Sequence, residues 1–153
     1  MITVYFDGAC EPINPGGTMS FGVAIFDGEE VIHEYSSLVF AAGSQPTNNV
    51  AEYSALEYAI KWLIDNELSN RAIEILGDSQ LVIFQMFGDP RRGGKKWQIR
   101  GGAYVEVAKN VSDLLGKLRG AGGRWIPREQ NTRADELSMM ALASIGVKAR
   151  TRK

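Results

Sequence analysis

The sequence predicts an α/β (α+β) fold in which one five-stranded mixed sheet carries helices on its faces. Two observations predict it: β-rich runs fill the start of the chain, and segments with helical spacing then alternate with short apolar strands. The 153 residues are 44% hydrophobic, enough for one domain with a sizeable core. We assign residues 1–146 to that domain and residues 147–153 to a basic flexible tail.

The first half of the chain predicts three antiparallel strands and a helix. Residues 2–7 alternate between apolar and polar side chains, which is typical of a strand. Residues 21–40 hold two β-rich runs joined by Asp27-Gly28, a hairpin signal. Residues 50–66 switch to the apolar spacing of a helix.

The second half predicts two further strands and three helices around a loop. The loop covers residues 88–102 and is rich in glycine and in basic residues. The regular elements that we predict are a strand at 72–76, a helix at 79–87, a helix at 103–118, a strand at 123–127 and a helix at 132–145.

Composition restricts the protein class and its partners. One cysteine, Cys10, excludes an internal disulfide framework. With no basic-apolar leader and no run of 18 apolar residues, we expect a cytoplasmic monomer without membrane contact. Through residue 90 there are two basic and 13 acidic residues, whereas 15 basic and five acidic residues follow. This asymmetry indicates either a charged partner or a polarised, solvated surface.

Four acids stand at the ends of predicted elements. Asp7 ends the first strand, Glu52 lies in the first turn of the long helix and points toward the sheet, and Asp78 follows the strand at 72–76. Asp135 lies in the first turn of the last helix. We expect all four to meet at one edge of the sheet.

Each acid also has a purely structural explanation. Asn49 with Glu52 has the spacing of a capping box, as do Thr132 and Asp135. Asp78 could cap its helix, and Asp7 could hold an Asx-turn. Taken together, however, four converging carboxylates repel one another unless a cation is present. Mg²⁺ is held by such oxygen ligands, and a pair of ions can promote phosphodiester cleavage.

Four segments, "FDGAC", "TNNVAEY", "GDSQLVI" and "NTRADEL", occur in the order found in the type 1 ribonuclease H family, and the match covers about residues 1–145. The chain thus resembles that family. The resemblance implies a ribonuclease H-like fold and an endonuclease that cuts the RNA strand of an RNA–DNA hybrid. It implies two Mg²⁺ ions with substrate bound, Mn²⁺ as a substitute, and Asp7, Glu52, Asp78 and Asp135 as catalytic residues and metal ligands.

The resemblance also implies residues that bind the hybrid. Asn48, Asn49 and Gln80 match positions that contact it, and side-chain amides can both donate to and accept from a 2′-hydroxyl. Thr47 and Asn14 resemble a pocket for a phosphate of the DNA strand. The alternative for these residues is ordinary turn and cap chemistry.

The loop at 88–102 predicts a phosphate-binding patch. Arg91, Arg92, Lys95 and Lys96 would attract phosphates, and Trp97 could stack on a sugar or base. The alternative is a solvated mobile loop with the indole tucked into the core. Many bacterial relatives carry a longer basic protrusion in this region.

The loop before Asp135 lacks a histidine that many relatives carry. Arg128 stands in that region, and we expect it to assist turnover; the alternative is a surface ion pair with Glu129 or Asp135. Two other functions stay open for the whole chain: a catalytically weak hybrid-binding module of the same fold, and a related nuclease with a different nucleic-acid substrate.

Overall fold

The structure is a computed structural model and describes residues 1–40 and 45–150. Five strands form one sheet: β1 (Ile2–Glu11), β2 (Thr18–Asp27), β3 (Glu30–Val39), β4 (Ala72–Gly77) and β5 (Gly120–Trp125). Four α-helices accompany them: α1 (Asn48–Asp65), α2 (Gln80–Phe87), α3 (Val105–Leu115) and α4 (Thr132–Ala143). Short 3₁₀ turns at Pro90–Arg92 and Arg128–Gln130 complete the order.

The sheet is mixed, with β1 at its centre. Its strand order is β3-β2-β1-β4-β5; β1, β2 and β3 pair antiparallel, whereas β4 runs parallel to both β1 and β5. The predicted five-stranded mixed sheet with helices on its faces is therefore confirmed.

The first strand is longer than predicted, and this changes the position of Asp7. β1 pairs with β2 along its whole length, but its pairing with β4 stops at Phe6 opposite Gly77. Asp7 therefore lies inside β1 rather than at its end, which corrects the prediction from sequence. Because the neighbouring strand has ended, a notch opens between β1 and the residue after β4, and the buried side chain of Asp7 lies beside it.

Two glycines show that α1 and α4 cover opposite faces of the sheet. A Cβ on Gly8 would lie 2.3 Å from the backbone nitrogen of Glu52, in α1. A Cβ on Gly22 would lie 2.2 Å from the carbonyl oxygen of Ala134, in α4. Gly22 pairs with Asp7 and shares its face, whereas Gly8 faces the other side because successive residues alternate. Both helices thus approach the central strand close to Asp7.

Strand β5 begins earlier than predicted, at Gly120 instead of residue 123, and ends at Trp125. Its sequence is glycine-rich and therefore lacks the apolar alternation of a strand. One of these glycines is required by packing, because a Cβ on Gly123 would lie 2.1 Å from the ring of Phe87 in α2. Pro127, which the prediction includes in the strand, follows its end.

The structure describes the first part of the predicted C-terminal tail, residues 147–150. In this part Arg150 hydrogen-bonds to Glu11 and to the carbonyl oxygen of Cys10. Residues 151–153 of that tail lie outside the described residues. Within the described ranges, no helix combines the length and apolarity needed to span a membrane.

We predict that Gly8→Ala destabilises the protein by at least about 2 kcal/mol, since its Cβ would meet the α1 backbone and not a flexible side chain. Urea unfolding measures the change. Gly122→Ala is the matched control: it also lies in a strand, and nothing lies within 4 Å of its added Cβ, so the free energy of unfolding should stay within about 0.5 kcal/mol. Equal effects of the two substitutions would contradict the close approach of α1 to Gly8.

Candidate active site

Three predicted acids meet at the notch beside β1. Asp7, Glu52 and Asp78 each contribute one carboxylate oxygen, and these three oxygens lie within 4.8 Å of one another. Asp7 and Glu52 are buried, and Asp78 is partly exposed. Asp7 comes from the central strand, Glu52 from α1, and Asp78 from the residue directly after β4. The predicted convergence of these three carboxylates is confirmed.

Asp135 lies beside this group and not within it. It is in the first turn of α4, as predicted, and its side chain is 28% exposed. Its charge and a hydrogen bond both raise the pKa of Asp7, so the two carboxyl groups are neighbours. The fourth acid is thus a partly exposed neighbour of the cluster.

The capping explanations for Glu52, Asp78 and Asp135 are not supported, because neighbouring residues occupy the cap positions. Thr47, not Asn49, is the N-cap of α1 and accepts from the Val50 amide. Ser79, not Asp78, caps α2. Asn131, not Thr132, is the N-cap residue of α4.

These caps also correct the position of Glu52. Because α1 begins at Asn48, Glu52 is not in the first turn, as the sequence predicts, but within the following one. It still points toward the sheet, in agreement with the prediction: it is buried together with Leu56, Ala59 and Leu63 on the same helix face.

Burial and like charges raise the pKa values of the three clustered carboxyl groups. For Asp7 and Glu52 burial is the larger cause, and the charge of Asp78 adds to it in both cases. Burial also raises the pKa of Asp78, against the opposing effect of the nearby Arg128 guanidinium. Burial and like charge thus oppose ionisation of these groups, and a bound cation would favour the ionised forms.

Two buried side-chain oxygens in this region have no hydrogen-bond partner. Among the residues that the structure describes, only Glu52 Oε2 and Asn131 Oδ1 are buried side-chain nitrogen or oxygen atoms without a hydrogen-bond partner. Asn131 also donates from Nδ2 to the carbonyl oxygen of Phe6, 2.9 Å away, and so ties the start of α4 to the residue before Asp7. Unpartnered buried oxygens are costly in a folded protein, and a ligand can satisfy them.

Arg128 lies next to the acids. Its guanidinium is 3.5 Å from Asp135 Oδ1, and its side chain is 45% exposed. The alternative of a surface ion pair with Asp135 is therefore present in the structure. The proximity of Arg128 to Asp78 follows from its effect on the pKa of that residue.

The predicted substrate-binding amides surround the N-terminus of α1 and the start of α2. Asn14 Oδ1 accepts from the Asn48 backbone, and Asn48 Oδ1 accepts from the Cys10 backbone at 2.8 Å. Asn49 and Gln80 are partly exposed in the first turns of α1 and α2. Thr47 provides the α1 cap described above, so part of the predicted cap chemistry is present at these positions.

The basic loop is built around one buried acid that the sequence did not reveal, Asp89. Its side chain is 1% exposed and accepts from the backbone and side chain of Arg91 and from the Trp97 indole. Burial alone would raise the pKa of Asp89, but these hydrogen bonds hold it below its usual value. Asp89 followed by Pro90 could have indicated it, since a cap residue before proline is a helix-start signal.

The loop's charged side chains therefore differ in their surroundings. Arg91 and Arg92 pair with Asp89, whereas Lys95 and Lys96 have no ion pair among the residues described. Trp97 packs edge-on against Phe84, and the two ring centres are 5.1 Å apart. This contact agrees better with the alternative in which the indole packs into the core than with a ring free to stack on a base.

Comparison with known proteins then identifies the fold family. A sequence model of the family described as "Reverse transcriptase-like" matches residues 6–141. The RNase H1 of the halophilic archaeon Halobacterium salinarum is 30% identical, with 94% of this chain and 98% of that one covered and a TM-score of 0.76. The chain belongs to the type 1 ribonuclease H family. The predicted family and its fold are thereby confirmed.

Two other ribonucleases H are similar. LC11-RNase H1, isolated from compost and solved in complex with an RNA/DNA hybrid, is 30% identical, with a TM-score of 0.79 and coverage of 95% of this chain and 99% of that one. The Mycobacterium tuberculosis "Bifunctional protein Rv2228c" is 28% identical over 131 residues, 84% of this chain. The chain spans about a third (32%) of the length of that relative.

The raised pKa values predict how the cluster affects stability. A carboxyl group whose pKa is higher in the folded than in the unfolded state loses stabilisation as the pH rises through that folded pKa. Asp7→Asn, whose amide oxygen can still accept from the Gly8 backbone, should therefore raise the metal-free melting temperature by a few degrees, roughly 2–6 °C, near neutral pH. This gain should shrink on going from about pH 8 to about pH 5.

Melting curves in chelator at both pH values measure this gain. Asp113→Asn, on the exposed surface of α3, is the matched control and should leave the melting temperature unchanged. A lower melting temperature for Asp7→Asn at neutral pH would show that the cluster does not oppose folding.

Proposed function

We propose that this chain is an endonuclease that depends on a divalent metal and hydrolyses the RNA strand of RNA–DNA hybrids. The observation that carries the proposal is the set of three carboxylate oxygens, from Asp7, Glu52 and Asp78, within 4.8 Å of one another. The relatives support the substrate, since several are named RNase H1 and one was solved with an RNA/DNA hybrid.

The residues present fit a hard divalent cation. All three groups offer carboxylate oxygens, the ligands that Mg²⁺ prefers, and Glu52 Oε2 is buried without a partner. We propose that Asp7, Glu52 and Asp78 hold one Mg²⁺ and that Asp135 completes the site of a second, with Mn²⁺ as a substitute. When bound, such a pair supplies an activated water and stabilises the leaving oxygen.

The protein's own part is to hold the acids rigidly. Asp7 is fixed by a strand in the middle of the sheet, and Glu52 by a buried helix face. Arg128 places a positive charge beside Asp78 and Asp135, where it can stabilise negative charge that develops on the scissile phosphate. A guanidinium stays protonated at neutral pH, so Arg128 would not act as a proton shuttle.

The amides near α1 would distinguish RNA from DNA. Asn14 and Asn48 each use the side-chain oxygen within the protein, and in the described part of the chain neither amide nitrogen has a partner. These NH₂ groups can donate to a 2′-hydroxyl or a phosphate. Asn49, three residues before Glu52, and Gln80, two residues after Asp78, would also contact the hybrid. Thr47 keeps its hydroxyl hydrogen for a phosphate oxygen because its own oxygen accepts from Val50.

We predict that the purified protein with Mg²⁺ cuts the RNA strand of a labelled hybrid, leaves the matching DNA duplex intact, and is inactive in chelator. Asp78→Asn should lower the cleavage rate by at least about a hundredfold, because it removes a charged ligand without changing side-chain size. Gel analysis of the end-labelled strands measures both results, and Asp113→Asn is the matched control.

Each other outcome points to a different function. Equal cleavage of hybrid and duplex would indicate the related nuclease with a different substrate. Hybrid binding without cleavage would indicate the catalytically weak module. A near-normal rate for Asp78→Asn would remove this residue from the mechanism.

We predict that the unpaired lysines of the basic loop bind phosphates of the hybrid. The double variant Lys95→Gln/Lys96→Gln should weaken hybrid binding and reduce the slope of log K against log salt by about 1 for each phosphate that the loop no longer neutralises. Lys109→Gln/Lys117→Gln changes the charge equally at exposed positions around α3 and serves as the control. An identical slope in both double variants would mean that the loop does not touch phosphate.

A further inference from the structure

A buried acid outside the catalytic group ties the C-terminal segment to the sheet. Glu11, the last residue of β1, is fully buried. Its Oε2 accepts from the backbone nitrogen of Arg150 at 3.0 Å and from Arg150 Nε at 2.8 Å. The second guanidinium nitrogen donates to the carbonyl oxygen of Cys10 at 3.0 Å. We call this arrangement of Glu11 and Arg150 the C-terminal clasp.

The route of the chain explains how this contact forms. After α4 ends at Ala143, Gly146 adopts a φ of 78°, and the segment turns back toward the end of β1. Because both the backbone and the side chain of Arg150 bind Glu11, the clasp fixes the segment itself and not only one side-chain tip. Removing the guanidinium would take a charged partner away from a fully buried carboxylate, which is unfavourable.

The clasp continues into the amides that the proposed function uses. Cys10, held at its carbonyl oxygen by Arg150, donates from its backbone nitrogen to Asn48 Oδ1. Asn48 in turn donates from its backbone to Asn14 Oδ1. A continuous series of contacts therefore runs from Arg150 to the two side-chain amides.

We propose that Glu11 and Arg150 are positioning residues for the hybrid: the clasp holds the Asn14 and Asn48 amides in the orientation that binds the nucleic acid. This inference rests on the proposed function. It assigns the C-terminal segment a role in substrate affinity that depends on its docked geometry and not on its positive charge. The clasp lies apart from the clustered acids, so it should affect binding and leave the chemical step unchanged.

The test compares two variants that remove the same charge from the same segment. Arg150→Gln should raise KM for a labelled hybrid about tenfold, with kcat at saturating hybrid within about twofold of the wild type. Lys148→Gln, exposed and two residues away, should leave both constants within about twofold. Arg150→Lys should restore KM only in part, because an ammonium lacks the fork that reaches Glu11 and Cys10 together.

A second substitution keeps the test decisive if Arg150→Gln does not fold. Glu11→Gln keeps the size and an accepting oxygen but removes the charge, and it should raise KM in the same way. All assays are run well below the melting temperature of each variant. Equal KM values for the Arg150→Gln and Lys148→Gln variants, or a normal KM for Glu11→Gln, would overturn the inference. A wild-type protein that neither cuts nor binds the hybrid would instead overturn the proposed function.

Discussion

Asp7, Glu52 and Asp78 each place one carboxylate oxygen within 4.8 Å of the others, and both their burial and their mutual repulsion oppose folding in the absence of a cation. The surrounding fold must therefore hold them against this repulsion. Each acid lies in a different part of the fold. Asp7 lies in the central strand, Glu52 lies in a helix that packs on the backbone at Gly8, and Asp78 lies in the short connection between β4 and α2. Such a site trades stability for function, a trade that is common in enzymes.

The helix caps show how this arrangement is kept free for a ligand. Thr47 and Ser79 accept from the backbone amides at the starts of α1 and α2, so Glu52 and Asp78 do not have to. An acid engaged in capping would present fewer lone pairs to a metal ion. In α1 and α2 a hydroxyl side chain thus caps the helix and the acid stays uninvolved in capping. Sequence spacing alone does not show which residue caps the helix.

The parts of the structure that were predictable from sequence are those with a local signal. The alternation in residues 2–7, the Asp27-Gly28 turn and the helical spacing after residue 50 each indicate one element. The four acids were selected by their predicted places at element ends, although Asp7 lies inside β1 and Glu52 lies beyond the first turn of α1. The bounds of strand β5 were misplaced because half of its six residues are glycine, and its fit depends on Phe87 from another element. Glu11 and Asp89 were missed for a similar reason: each is buried by partners that the spacing of apolar residues does not reveal.

Asn131 illustrates the same limit within the site. In the sequence, the segment "NTRADEL" stands out because it contains Asp135. In the structure, Asn131 itself joins the start of α4 to the carbonyl oxygen of Phe6. That contact spans 125 residues of sequence, so only the folded chain brings the two groups together.

The contacts of Asp89 leave the tip of the basic loop as the place where this region can change in length. The acid, Arg91 and the Trp97 indole hold the base of the loop, whereas Gly93 at its tip has a φ of 67° and nothing within 4 Å of an added Cβ. Extra residues inserted at this tip would extend into solvent without disturbing the base. A short basic loop of this kind can therefore grow into a large protrusion, or shrink again, while the hydrophobic interior of the domain keeps its packing.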